Sequence, residues 1–194
     1  GEGIGKADGF TVFVKDAVIG DTVTAKIMKA KKNYGYGRLM EILKPSPYRV
    51  DPICPSARQC GGCQLQAVSY EEQKAFKEKK LRGHLERIGG FKELPMEPLI
   101  GMDEPYHYRN KAQFPVGRNK EGRIVTGFYA GRTHAIIENR DCAHGIPQNK
   151  EVLDRVIAHM EKYNIAPYDE MTGKGLVRHI FVRYGFFTGE LMVC

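Results

Sequence analysis

The segment Pro45-Ser-Pro-Tyr-Arg-Val-Asp-Pro-Ile-Cys-Pro-Ser-Ala-Arg-Gln-Cys-Gly-Gly-Cys63 divides the sequence into two parts of different character. Three prolines within its first eight residues exclude a helix there, because proline lacks the amide hydrogen and clashes with the preceding turn. Three cysteines follow within ten residues. We therefore expect a domain boundary near residue 48, with a metal or disulfide site directly after it.

The residues before this segment have the pattern of short β-strands. Phe10–Val14, Thr22–Met28 and Tyr36–Leu43 alternate roughly between apolar and polar side chains, as strands with one buried face do. Glycine and aspartate lie between these runs and mark turns. Several short strands joined by such turns predict a small β-barrel over residues 1–48.

The residues after the cysteines combine two helices with paired strands. The first helix is expected to begin after Ser69, which forms a capping box with Glu72, and to end at Gly89. The second follows Pro147, and its apolar stripe consists of Val152, Leu153, Val156, Ile157 and Met160. Antiparallel hairpins are expected from the strand patterns at 109–116, 123–130, 134–138, 176–184 and 186–193. The expected fold is therefore mainly β, of the α+β class, with an antiparallel sheet and two helices in a domain over 49–194.

Length and composition indicate a folded protein with an anionic partner. The 194 residues are 42% hydrophobic and 27% charged, which excludes wholesale disorder. No apolar run has the length of a membrane span and no signal peptide begins the chain, so we expect a cytoplasmic monomer without a membrane partner. The net charge of +7 favours nucleic acid as the partner. A start without methionine and an end at Cys194, inside an apolar run, predict a fragment of a longer protein.

Five cysteines provide candidate ligands. Cys54, Cys60 and Cys63 form a C-x5-C-x2-C motif, and Cys142 can supply a fourth ligand from a distance. The odd number makes a disulfide framework the weakest of three interpretations. Zinc bound by four thiolates also fits, although zinc ribbons usually present two separate C-x2-C pairs. The three-plus-one spacing favours a [4Fe–4S] cluster over zinc, and Cys194 is expected to be a buried strand residue.

A stretch of cations and tyrosines precedes the proline-rich segment. Its members are Lys29, Lys31, Lys32, Tyr34, Tyr36 and Arg38. Cations neutralise phosphates and tyrosine rings stack on bases, which predicts binding of single-stranded RNA. The same combination recurs around Arg109, Lys111 and Arg132. A solvated hairpin whose lysines only maintain solubility fits the first stretch as well, and the nearby histidines are interpreted as structural.

No catalytic motif accompanies these residues. The chain contains no G-x-G-x-x-G motif after a strand, no P-loop, no G-x-S-x-G motif and no pair of carboxylates spaced for acid–base work. We therefore expect no catalytic residue within this chain.

Taken in order, the motifs resemble those of the RNA uracil-5-methyltransferases, which depend on S-adenosylmethionine. Gly1–Lys6, Phe10–Val14 and Val18–Val23 are similar to the N-terminal TRAM domain of that family, an OB-like RNA-binding barrel, without its first strand. Two further stretches resemble the family's cluster-binding segment, namely Arg49–Cys54 and Cys60–Gln64. Its central domain is matched by Tyr108–Lys111, Gly127–Tyr129, Asp141–Cys142, Arg178–Arg183 and Thr188–Glu190.

The resemblance implies a division of labour within a longer enzyme. Cys54, Cys60, Cys63 and Cys142 would ligate a [4Fe–4S] cluster in a central domain over 49–194. The intact enzyme would methylate C5 of a uridine in RNA, with ribosomal RNA favoured because transfer RNA members often lack a TRAM domain. The nucleophile, the base and the S-adenosylmethionine site are expected in a C-terminal domain that this chain lacks, so the fragment is expected to be inactive.

Two alternatives belong to other classes. One is a freestanding RNA-binding module with a structural four-cysteine zinc site and no catalytic activity. The other is a methylthiotransferase-type radical enzyme, against which the C-x5-C-x2-C spacing argues.

Overall fold

Nine β-strands and two α-helices make up the structure, a computed structural model that describes residues 1–194. They are β1 (Glu2–Ala7), β2 (Phe10–Lys15), β3 (Thr22–Ala30), β4 (Tyr34–Lys44), α1 (Tyr70–Arg87), β5 (Lys111–Arg118), β6 (Ile124–Tyr129), β7 (Ile136–Glu138), α2 (Gln148–Lys162), β8 (His179–Tyr184) and β9 (Leu191–Val193). The prediction of a mainly β, α+β fold with two helices is confirmed. Neither helix is long and apolar enough to cross a membrane.

The first four strands form one sheet in the order β1-β2-β4-β3. Its outer pairs, β1 with β2 and β3 with β4, are antiparallel, whereas β2 and β4 run parallel. One parallel pair inside an otherwise antiparallel sheet requires a crossing connection, which here is made by β3. This arrangement fits the OB-like architecture expected for the N-terminal residues.

Two glycines let β4 lie close against β2 and β3. A Cβ atom on Gly37 would lie 3.2 Å from Val12 Cγ1 and 3.3 Å from both Val14 Cγ2 and Ala25 Cβ. Gly35 has the same close approach to the ring of Phe10. Side chains alternate between the two faces of a strand. Tyr34, Tyr36 and Arg38, which alternate with these glycines, therefore project from the opposite face of β4.

An ion pair closes the loop that follows β2. Backbone N–H groups of Val18 and Ser46 donate to the carboxylate of Asp21 at 2.7 and 2.8 Å, and Arg49 Nε donates to it at 3.1 Å. Arg49 also donates to the carbonyl of Asp16 at 2.9 Å. Burial alone would raise the pKa of Asp21, but the hydrogen bonds from Arg49, Ser46 and Val18 outweigh it and lower the pKa to about 2.

Helix α1 belongs to the same unit as this sheet. The structure divides into a unit of residues 1–52 and 64–102 and a unit of residues 53–63 and 103–194. Backbone hydrogen bonds connect the residues just before α1 to the proline-rich segment, from Val50 N–H to the Ala67 carbonyl at 3.1 Å and from Ser69 N–H to the Tyr48 carbonyl at 2.9 Å. This division differs from a boundary at residue 48, and the two domains 1–48 and 49–194 stay a prediction.

The capping box predicted for α1 is wrong. Ser69 precedes the helix but its side chain makes no capping hydrogen bond. Instead Gln73 Nε2 donates to the carbonyls of Leu65 and Val68 at 3.1 and 2.9 Å, which ties the first turn to the chain before it. The sequence signal for a cap is local, whereas this contact depends on the path of the preceding loop.

The second unit contains a five-stranded antiparallel sheet in the order β7-β6-β5-β8-β9. Helix α2 packs on one face of it, and its predicted apolar stripe is confirmed because Leu153, Ile157 and Met160 are fully buried. They belong to one core together with Phe114 of β5 and Ile180 of β8. Burial of this stripe is the main force that holds the helix on the sheet.

The hairpins predicted in this unit are confirmed, but the predicted burial of Cys194 is wrong. The β5–β6 turn is closed by Asn119 Oδ1, which accepts from Arg123 N–H at 2.9 Å, and by Gly122 at a φ of 79°. Strands β8 and β9 also pair as predicted. Cys194, expected to be buried, is exposed because it follows the edge strand β9, whose apolar residues have no neighbour on their outer side.

Candidate nucleic-acid interface and cysteine site

Three aromatic rings form a platform on the exposed face of the first sheet. Tyr34 and Tyr36 alternate with the close-packed glycines, and each remains 37% exposed. Phe13 lies directly opposite Tyr36 in the parallel β2–β4 pair. The ring centroids of Phe13 lie 5.8 Å from Tyr34 and 5.7 Å from Tyr36, and the two tyrosines are 5.7 Å apart. Sequence reasoning missed Phe13, because only the register of β2 against β4 brings it to the tyrosines.

Cations surround this aromatic platform. In the β3–β4 pair, Lys29 lies opposite Tyr36 and Lys26 lies opposite Arg38. Lys31 and Lys32 are exposed in the turn between these strands. A sheet face with stackable rings at its centre and positive charges along its edges has the two components of a single-strand RNA surface.

The other predicted RNA contacts lie in the second unit, on three different elements. Arg109 is half-buried and its N–H donates to the His144 carbonyl at 2.8 Å. Lys111 is exposed at the start of β5, with its Nζ 5.2 Å from the ring centroid of Phe181. Arg132 is exposed in the β6–β7 turn. The structure therefore associates the backbone of Arg109 with the loop of Cys142 and leaves the other two cations on the surface.

The cysteine-rich loop is fastened to the end of β6. Cys60 forms a β-bridge with Ala130, and Gly61 N–H donates to the Tyr129 carbonyl at 2.9 Å. Gly61 is required there, because a Cβ atom would lie 3.0 Å from the Tyr129 oxygen and 3.1 Å from Gly131. The backbone thus fixes Cys60 at the end of β6, the strand that pairs with β7 before Cys142.

Asn139 connects both parts of the four-cysteine set. Its Nδ2 donates to Cys54 Sγ at 3.4 Å, and its Oδ1 accepts from Asp141 N–H at 3.1 Å. The turn that carries Cys142 then closes through Gly145 N–H, which donates to the Cys142 carbonyl at 2.8 Å. One side chain therefore contacts Cys54 and shapes the turn of Cys142.

The surroundings of Cys60 change the pKa of its thiol. Burial raises the pKa of the Cys60 thiol, and negative charge on Cys142 and Cys54 raises it further, while Gly62 N–H and Arg109 oppose the shift. The Gly62 N–H donates to Cys60 Sγ at 3.4 Å. Cys54 is buried and Cys63 is half-buried, and both belong to the same unit. All five cysteines are free thiols, so the structure offers no support for a disulfide framework.

Four free thiols have the donor chemistry of a thiolate-bound metal group, either an iron–sulfur cluster or zinc. No three Cys, His, Asp or Glu side chains are arranged to hold one metal ion. Zinc would require sulfurs at about 2.3 Å from one centre, whereas a [4Fe–4S] cube binds each thiolate to a different iron and holds the sulfurs further apart. N–H groups donate to Cys54 and Cys60, as they do to cluster sulfurs. The nearby His107 is structural, with Nδ1 2.9 Å from the Gly145 carbonyl.

Comparison with known proteins agrees with these features. Residues 1–40 match the model of the TRAM domain. The whole chain is 45% identical over 193 residues to a protein of Bacillus cereus, and 44% identical to one of Clostridium tetani, each named as an uncharacterized RNA methyltransferase. The chain spans only 42% of the length of either relative.

A solved structure has the same fold. The tRNA (uracil-54, C5)-methyltransferase of Pyrococcus abyssi, in complex with S-adenosyl-L-homocysteine, superimposes with a TM-score of 0.70 at 26% identity. The match covers 99% of this chain and 44% of that one. Its extent shows that both units of the chain occur together in this neighbour.

Proposed function

We propose that this chain, whose residues 1–40 match the TRAM domain, belongs to the RNA methyltransferases that it resembles over its full length. It would be the RNA-binding and cluster-binding portion of an S-adenosylmethionine-dependent enzyme that methylates C5 of a uridine. The aromatic platform of Phe13, Tyr34 and Tyr36, with cations at its edges, is the observation that carries this proposal. It lies within the residues matched by the TRAM domain.

The platform binds unpaired nucleotides by two complementary interactions. Tyr34 and Tyr36 stack on bases, each stacked base contributing about 1–3 kcal/mol, and Lys29, Lys31 and Arg38 neutralise the phosphates that follow. An enzyme that methylates a ring carbon needs a base out of its stack, because the ring edge is inaccessible inside a helix. A surface for single strands in the same enzyme would hold the RNA in that form.

We propose in addition that Cys54, Cys60, Cys63 and Cys142 hold a [4Fe–4S] cluster. When bound, the cluster would supply four metal–thiolate bonds that connect the cysteines. Its role would be structural, because methyl transfer to a uracil carbon needs no electron. The residues of the chain then have structural tasks: Asn139 orients Cys54, Gly61 and Gly62 fold the loop, and the turn of Cys142 is held to the strands. Binding of this kind contributes directly to folding free energy.

Methyl transfer itself is assigned to the part of the relatives' length that this chain does not span. S-adenosylmethionine is the expected methyl donor, in agreement with the product bound to the Pyrococcus neighbour. For the substrate we propose ribosomal RNA, on the ground of the TRAM domain, although that neighbour is named for transfer RNA. A freestanding RNA-binding module with a zinc site is less well supported, because the named relatives are methyltransferases.

The test is a methylation assay on a protein of the relatives' length that contains this chain. With tritiated S-adenosylmethionine, it should label ribosomal RNA transcripts at uridine, identified as 5-methyluridine by mass spectrometry. Label in transfer RNA alone would move the substrate to that class. Label at another base or atom, or no label in any RNA, would contradict the proposed reaction.

A first prediction concerns the turn of the platform. Replacing Lys31 and Lys32 together with Ala should weaken binding of single-stranded RNA and reduce the slope of log K against log salt by about 1.4, since each single-strand phosphate contact contributes about 0.7. Fluorescence anisotropy over a series of salt concentrations measures both quantities. The matched control is the double replacement of Lys120 and Lys162, exposed cations outside the predicted contacts, which should leave the slope unchanged. An unchanged slope in the Lys31 and Lys32 variant would place the RNA elsewhere.

A further inference from the structure

The uncovered face of the five-stranded sheet carries two cations that face each other. Helix α2 covers the face formed by Ala112, Ile180 and Val182, all of which are buried. Residues that alternate with these lie on the other face. There Lys111 of β5 is paired directly with Arg183 of β8, and both side chains are exposed.

Both cations are held by one aromatic ring. Lys111 Nζ lies 5.2 Å and Arg183 Cζ lies 6.0 Å from the ring centroid of Phe181, which is half-buried in β8. Neither cation forms an ion pair with a carboxylate of the chain. The ring therefore orients two positive charges side by side and leaves their N–H groups free to bind an external acceptor.

This arrangement is unfavourable for the folded sheet by itself. Like charges directly opposite each other across two strands repel and destabilise a sheet. Contact of each cation with the ring face offsets part of that repulsion. An anion bound between the two cations would remove the rest of the repulsion. The geometry is therefore that of an anion-binding site.

We propose that Lys111 and Arg183, held over Phe181, bind one phosphodiester group of RNA. The guanidinium of Arg183 offers a fork of N–H donors that matches two phosphate oxygens, and the ammonium of Lys111 adds a third donor. This inference rests on the proposed function, because it names a second place where the RNA substrate contacts the chain. Among the residues involved, only Lys111 is expected from sequence to contact RNA.

A cleft next to the two cations has room for the attached nucleotide. It has a volume of about 690 Å³ and is lined by Arg183, Asn110, Glu190, Tyr184 and Met192. Pockets of roughly 300–1,000 Å³ accommodate small organic ligands. Asn110 and Glu190 offer hydrogen-bond partners for a ribose hydroxyl or a base, a recognition that distinguishes RNA from a bare phosphate.

The proposal separates binding from stability in a measurable way. Replacing Arg183 with Gln removes the repulsion as well as the phosphate contact. The melting temperature of an Arg183→Gln variant should therefore be equal to that of the unsubstituted chain or higher, while its affinity for RNA falls several-fold. A purely structural role for Arg183 would lower both together.

The experiment measures anisotropy of a labelled single-stranded RNA oligonucleotide with the 194-residue chain at several salt concentrations. The double variant Lys111→Gln with Arg183→Gln should reduce the slope of log K against log salt by about 0.7, the contribution of a single phosphate. Arg183→Lys, which keeps the charge but loses the guanidinium fork, should keep the salt slope and lose less affinity than the double variant. The control is Lys162→Gln, which removes a lone cation 5.1 Å from the ring of Tyr163 on α2 and should change neither slope nor affinity.

The outcomes distinguish this inference from the proposed function. If the unsubstituted chain binds no RNA, the proposed function fails and the inference fails with it. If the chain binds RNA and the double variant keeps the full slope, the phosphate site alone is overturned. An equal loss in Lys162→Gln would also overturn it, since the effect would then come from net charge. Circular dichroism melts of every variant confirm that the comparison is made between folded proteins.

Discussion

A Cys142→Ser variant purified without oxygen should contain almost no iron, whereas the unsubstituted chain should contain about four irons per molecule. A hydroxyl does not replace a thiolate as a cluster ligand, and three remaining cysteines hold a cube less tightly than four. Because metal-coupled stability is lost with the ligand, the melting temperature should fall as well. Iron and sulfide analysis together with a circular dichroism melt measure the two effects.

The contrast with Cys194 makes this result specific. Cys194 is exposed at the end of the edge strand and lies outside the four-cysteine set, so Cys194→Ser should keep its iron and its melting temperature. A Cys142→Ser variant with full iron content would exclude Cys142 as a ligand. Zinc without iron in the unsubstituted, anaerobically purified chain would overturn the cluster and favour a four-thiolate zinc site.

An Arg49→Leu variant should lose about 3–5 kcal/mol of unfolding free energy at pH 7, because it leaves a buried carboxylate without its cation. The side chain of Asp21 is only 1% exposed, and that of Arg49 is 19% exposed. Asp21 also holds the N–H groups of Val18 and Ser46, so its protonation or displacement would loosen the loop after β2. Urea unfolding measures the free energy, and hydrogen exchange of β2 and β4 amides assigns the loss to this unit.

Acidification should reproduce part of this effect in the unsubstituted chain. The pKa of Asp21 is lowered from 3.8 to about 2, so its contribution is present above pH 3.8 and is lost as the pH falls towards 2. In Arg49→Leu this acid-dependent loss should shrink, because the cation that lowers the pKa is absent. The matched control is Arg155→Leu, which removes the ion pair between Arg155 and Glu151. The side chains of these two residues are 79% and 68% exposed, so the pair should contribute less than about 1 kcal/mol. Equal losses in the two variants would contradict a special role for the buried pair.

Local patterns predicted the elements whose residues interact within a few positions. The stripe of α2 follows from helical spacing, and the burial of Leu153, Ile157 and Met160 confirms it. The alternating pattern over Tyr36–Leu43 predicted the strand that the structure extends to Tyr34–Lys44, because successive residues of a strand point to opposite faces. The capping box predicted at Ser69 is wrong, because a local motif does not record the path of the loop before α1. That loop supplies the carbonyl of Leu65, to which Gln73 donates.

Contacts between distant residues needed the three-dimensional structure. Phe13 joins the tyrosines only because β2 and β4 pair in parallel, and Asn139 reaches Cys54 only because the cysteine loop bridges to the end of β6. Arg109, which is predicted to contact RNA, is half-buried, and only the structure shows that its backbone N–H donates to the His144 carbonyl. Arg183 belongs to a motif that resembles the family, but only its register opposite Lys111 shows that the two cations are paired.

Spacing and periodicity in this sequence were sufficient to determine the mainly β architecture, the α2 face, the candidate thiol set and the basic, tyrosine-rich strand, because each of these is encoded within one element or motif. The tertiary structure alone decided which elements became neighbours: the parallel β2–β4 pair, the Asn139 link between Cys54 and the turn of Cys142, and the two cations over Phe181. The physical reason is that strand order and register depend on the summed packing of residues far apart in the chain, which no local pattern records.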